Sequence, residues 1–160
     1  MKEKFTPAEW QELKMLPFIV YRDVAYADQK ADENEMRELD RSLRTATLPM
    51  LKELVTDILQ RSGYDPLIES TDPVLAAARA EPEELERIKL RIKGFLLKEL
   101  TAFEYQAFLA AIFEEAVAIA RASGGFLGRG RISAAETQAL ESFASTFEID
   151  PEVVKRHISS

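Results

Sequence analysis

Cysteine is absent from this sequence, which removes disulfides, thiolate metal sites and thiol nucleophiles together. Histidine occurs once, at position 157, so serine triads and paired-imidazole chemistry are excluded as well. A di-iron carboxylate bundle needs Glu-x-x-His on two helices, and the residue three before His157 is Val154. His157 therefore reads as a surface residue. No apolar run approaches the roughly 20 residues that span a bilayer. The opening Met1-Lys2-Glu3-Lys4-Phe5 carries no apolar stretch after its charges, so a secretory leader is not expected and cytoplasmic residence is. A basic excess is missing too: 21 Lys and Arg stand against 28 Asp and Glu, a formal charge of -7. Nucleic-acid contacts need cations against phosphates. The densest basic stretch, Arg87 to Lys93, alternates with apolar residues and reads as the solvated face of a helix. Nucleic acid is not an expected partner.

What is present is helix, almost without interruption. Thr6-Pro7-Ala8-Glu9 is a capping box with proline at the first helical position. Trp10, Leu13, Leu16, Val20, Val24 and Ala27 then recur at spacings of three and four. Pro17 interrupts that run, removing a hydrogen bond and crowding the preceding turn, so two helices are expected rather than one. Asp32 and Glu35 cap a helix whose stripe is Met36, Leu39, Leu43 and Ala46. A further helix over 47–62 carries Leu51, Leu54, Val55, Ile58 and Leu59, and Gly63 stops it. Prolines 66, 73 and 82 mark a connector, with one short helix expected from Asp72 to about Ala80. Glu81-Pro82 opens a helix with Leu85, Ile88, Ile92, Phe95 and Leu96 inward. The capping box Thr101-Ala102-Phe103-Glu104 starts the longest apolar helix, marked by Phe108, Ala111, Ile112, Ile119 and Ala120. Its many alanines allow close approach of neighbours, as a central position requires. Ser133-Ala134-Ala135-Glu136 caps the next helix, with Leu140, Phe143, Ala144 and Phe147 inward. Asp150-Pro151 opens the last, with Val153, Val154 and Ile158. At 160 residues, 46% apolar and 31% charged, the chain suits one globular all-α domain over 1–160.

Two stretches repeat a theme. Ala-Asp-Gln-Lys-Ala-Asp-Glu-Asn-Glu at 27–35, and Ala-Ser-Gly-Gly followed by Arg-Ile-Ser-Ala-Ala-Glu within 122–136, each follow an apolar helix. Each supplies a polar turn, a capping side chain and a glutamate three residues later. Repetition of a helix-turn-helix unit implies two related halves, about 6–63 and 82–158, joined by the proline-rich 64–82. Asp28, Asp32, Glu33 and Glu35 can converge oxygen donors on a hard divalent cation. The EF-hand spacing is not met, because Glu33 and Leu39 occupy the positions for its glycine and final glutamate. The simpler reading is that Asp32 and Glu35 cap a helix, worth about 1 kcal/mol. Gly124, Gly125, Gly128 and Gly130 surround Phe126 and Leu127, but no strand precedes them and no Walker lysine follows. That loop reads as structural. Trp10 and Tyr21 read as core or interface residues.

With both turns in view, the chain resembles the TerB-like family of helical domains, known from tellurite-resistance operons and from some membrane-anchored co-chaperones. Asp28 and Glu35 match the acidic positions of the family's Ala-Asp-Gly turn, while Gly124, Gly125, Ile132, Ser133 and Glu136 match its second variant. Thr6-Pro7-Ala8-Glu9-Trp10 is similar to the start of such domains, and the resemblance runs from about residue 6 to 150. Gln29 stands where the family has glycine, and Ser123 where the second turn would have aspartate. The resemblance implies a compact bundle of two pseudo-symmetric halves and an acidic, sometimes metal-binding, surface without enzymatic activity. It carries over Asp28, Glu35 and Glu136 as metal ligands, with Asp32 as their neighbour; oxygen donors without sulfur or imidazole make calcium or magnesium the expected ion. The expected role is a stress-response binding or scaffold module with a protein partner, or a second copy of itself. The competing reading is a metal-dependent hydrolase working with carboxylates alone.

Overall fold

Thr6 turns the chain from extended backbone into the first helix and closes it with both halves of a capping box. Its Oγ1 accepts from the Glu9 amide at 3.3 Å, while its own amide donates to Glu9 Oε2 at 2.8 Å. The helix α1 (Pro7–Leu13) then stops and α2 (Leu16–Ala25) begins, with Pro17 in its first turn, where the missing N–H costs nothing. The interruption expected at Pro17 is thus a true break. In this computed structural model the described residues are 2–27, 33–46, 48–60, 81–122 and 132–158, with side chains at 33–36, 42, 43, 59 and 60 left out. The expected helix over 72–80, the stop at Gly63 and the glycine loop lie outside them.

The remaining helices are α3 (Glu33–Thr45), α4 (Pro49–Gln60), α5 (Pro82–Glu99), α6 (Ala102–Ala122), α7 (Ala134–Phe147) and α8 (Pro151–Ile158). A single 3-10 turn, Lys2–Lys4, precedes α1, and no strand occurs among the described residues. The protein is all-α. No helix among the described residues is long and apolar enough to cross a membrane.

The centre of the bundle is α6. It packs against α2, α3, α7 and α8, with smaller contacts to α4 and α5. Burial on all sides follows from its composition: Tyr105, Phe108, Leu109, Ile112, Phe113, Ala116, Val117, Ile119 and Ala120 are all buried. A helix apolar all round has no single inward stripe. Consequently Leu109, Phe113 and Val117 join the expected positions, while Ala111 is only half-buried. Leu39, Phe108, Ile112, Leu140 and Phe143 meet in one core as expected; the Leu43 side chain lies outside the described residues. Tyr105 donates to the Phe147 carbonyl at 2.7 Å and Gln106 Nε2 to the Glu148 carbonyl at 3.0 Å. The first turn of α6 therefore satisfies the open carbonyls at the end of α7.

Candidate functional site

Of the residues expected to hold a cation, Asp28 and Asp32 lie outside the described residues, and Glu35 belongs to α3 with its side chain undescribed. Glu136 is fully described and almost fully buried. The Ser133 amide donates to its Oε2 at 2.6 Å, and the Glu136 amide donates back to Ser133 Oγ at 3.2 Å. Two of the four orphan amides at the start of α7 are satisfied in this way, so the second acidic position is a helix cap. Among the described residues, no group of three His, Asp or Glu side chains is arranged to hold a metal ion.

His157 is half-buried rather than on the surface. Its Nδ1 sits 2.8 Å from the Val153 carbonyl, and its ring meets Phe113 edge-on at 6.4 Å. Arg121 of α6 donates to the His157 carbonyl at 2.7 Å and ties α8 down. Trp10 is buried as expected, but it also has a polar duty. Its Nε1 donates to Asp57 Oδ2 at 2.9 Å, and Asp57 is held as well by Lys2 at 2.9 Å and Lys14 at 3.5 Å. A second buried pair joins α2 to α5: the Lys89 ammonium lies 2.7 Å from Asp23 and 2.5 Å from Glu86. Burial works against the Lys89 charge, yet Asp23 and Glu86 outweigh it and hold its pKa above the usual lysine value. Burial pushes the Asp23 carboxyl up, against the pull of the ammonium it shares with Glu86.

One cleft combines concavity with an unusual acid. It opens between α3, α4 and α6, has a volume of about 220 Å³, and its lining includes Arg41, Thr45, Leu51, Ala111, Glu114 and Glu115. Burial, with a smaller contribution from the neighbouring charge of Glu114, pushes the Glu115 carboxyl up to about 7. Arg41 is drawn toward Glu38 one turn before it, and Thr45 Oγ1 donates to the Arg41 carbonyl at 2.9 Å. A carboxyl that titrates near neutrality can exchange a proton, or hold a cation once ionised. The volume is below the roughly 300 Å³ of ordinary small-molecule pockets, so a single side chain or small ion is the scale of group it admits. Sequence reasoning missed Glu115. Its signal was present, since Glu114-Glu115 is the acidic pair inside the otherwise apolar stretch from Phe108 to Ala120.

Comparison with protein-family models, with curated proteins and with solved structures finds no match to this chain.

Proposed function

We propose that the protein is a non-catalytic cytoplasmic binding or scaffold module of the TerB-like, stress-response kind, with a calcium or magnesium ion held at the turn between α2 and α3. The observation that carries this reading is an exchange of packing partners. The α3 helix lies on α6, α7 lies on α2, and α2 and α6 lie on each other. Two related helix-turn-helix units, α2–α3 and α6–α7, make that pattern when they pack about a twofold axis through the α2–α6 contact. The cap at the start of α7 supports the same equivalence. Ser133 and Glu136 are spaced in the sequence like Asp32 and Glu35, and the acids at 28, 32 and 35 are what distinguishes the first stretch from the second.

Oxygen donors without sulfur or imidazole favour hard cations over softer metals. Titration with calcium or magnesium should raise the melting temperature by an amount that grows with free metal. Asp28→Asn should abolish that response, whereas Glu152→Gln, at the exposed start of α8, should leave it intact. Calorimetry with no uptake of either ion in the millimolar range would remove the cation from the proposal and leave a charged surface for a protein partner.

The hydrolase reading draws on a different observation, the Glu115 carboxyl raised to about 7 inside a cleft. Hydrolysis of a phosphoester or amide that disappears in Glu115→Gln would favour it. Inertness of the metal-loaded protein across a broad substrate panel would favour the module.

A further inference from the structure

The helix α5 buries Leu85, Ile88, Ile92, Phe95 and Leu96 and turns its opposite face outward. On that outer face Leu90 is 59% exposed and Leu97 51%. Seven residues apart, they stand two turns along one line of the helix. Between them is Gly94, where an added Cβ would meet nothing within 4 Å. Glycine in a helix interior weakens the helix relative to alanine. Nothing among the described neighbours uses the space it frees. A side chain missing between two exposed leucines leaves a notch that fits the knob of another helix.

Charge along α5 is divided. Glu81, Glu83, Glu84 and Glu86 lead, and Arg87, Arg91 and Lys98 follow on the exposed surface. A second α5 laid parallel would set acids on acids and bases on bases. Laid antiparallel, it sets the acidic first turns of each copy toward the Lys98 end of the other, and the two Arg91 that meet near the middle are each already paired with Glu12 of their own chain at 3.2 Å. That helix is therefore its own complement in one orientation only.

We propose that α5 is the contact helix of a homodimer, in which two copies pack antiparallel and Leu90 of each seats over Gly94 of the other. In this register Leu97 covers the aliphatic stem of Arg87 of the second copy, and Glu86 comes beside Lys98 of the second copy. One helix pair offers little area against the roughly 1,200–2,000 Å² of a stable interface. The dimer is accordingly a concentration-dependent equilibrium. It is independent of the turn between α2 and α3 and of any metal there.

Sedimentation equilibrium over a wide concentration range tests it. The mass should climb from the 18.1 kDa of one chain toward twice that value. Leu90→Glu should hold the protein monomeric throughout. Gly94→Leu should do the same by filling the notch, with helicity and melting temperature at or above wild type, since its site is open within the chain and glycine weakens a helix interior. A wild-type mass that stays monomeric at the highest concentration overturns the proposal, as does a Gly94→Leu variant that dimerises normally. Orientation can be read by cross-linking, because the chain has no cysteine of its own. Arg91→Cys should close a disulfide across the dimer, while Lys98→Cys should not, its two copies lying about 18 Å apart along the helix axis. Ready closure at position 98 would overturn the antiparallel arrangement.

Discussion

Glu115 makes the folded state sensitive to pH across the neutral range. Its carboxyl titrates near 7 in the folded protein and at the ordinary 4.5 once exposed. Below 4.5 it is protonated in both states and costs nothing. Between 4.5 and 7 the unfolded chain loses this proton first, so the native state binds more protons and stability falls as pH rises. The stabilisation is gone above 7, a loss of roughly 2–3 kcal/mol in total. Urea denaturation at a series of pH values should show that fall, and Glu115→Gln should flatten this part of the profile. An unchanged slope in the variant would place the titration elsewhere. Lys89 and Asp23 test a second residue-level claim. Asp23→Ala leaves a buried ammonium with Glu86 alone and should cost about 2–4 kcal/mol, short of the fully buried range because Asp23 is partly solvated. Replacing both, as Lys89→Met with Asp23→Leu, should recover most of that loss. A double variant as unstable as the single would show that the pair itself is worth more than its desolvation. Neither buried lysine was legible in the sequence. Lys14 and Lys89 sit where their helices' apolar spacing already continues, and what admits them is Asp57 or Asp23, 43 and 66 residues away in the chain.

Elements were far more legible, because their signals are local. Thr6, Thr101 and Ser133 each close a capping box with the glutamate three residues later, as the sequence pattern requires. Pro17 and Pro82 fall in first turns, where their fixed φ helps and their missing amide does no harm. Less legible was α6, whose burial is decided by neighbours on every side rather than by its own period. The end of α7 was also hidden. Glu148 stops that helix in the left-handed region, at φ 53° and ψ 46°, a place that usually takes glycine. Its side chain meets Lys93 at 2.7 Å while remaining largely exposed, a pair of small value. Glu148→Gly should therefore stabilise the protein, by about 0.5–1 kcal/mol, since relief of the left-handed strain exceeds the exposed ion pair. Thermal melts would check the sign. A lower midpoint would mean that Lys93 and the α6 contact to this corner depend on the glutamate.

At the scale of the whole molecule, the contacts of α2 and α6 with each other, of α3 with α6 and of α7 with both make piecewise unfolding costly. Unfolding α7 strips α2 as well as α6 of cover, and unfolding α3 exposes α6. A natural probe reports on this. Trp10 is the chain's single tryptophan, almost fully buried in α1, where its ring packs on Phe5 and its Nε1 donates to Asp57. Phe143, by contrast, lies in α7 with its ring centroid 4.7 Å from that of Phe147. Phe108→Ala and Phe143→Ala remove large, fully enclosed side chains and should each cost about 3–5 kcal/mol. In a single cooperative unit, the Phe143→Ala loss must appear equally in Trp10 fluorescence and in helical circular dichroism, with coincident denaturation midpoints. If the halves were independent, Trp10 would keep its wild-type transition while part of the helicity melted early. Coincidence in both variants would tie the two helix-turn-helix units into one domain, and a midpoint change equivalent to less than about 0.5 kcal/mol would show that the phenylalanines do not carry the core.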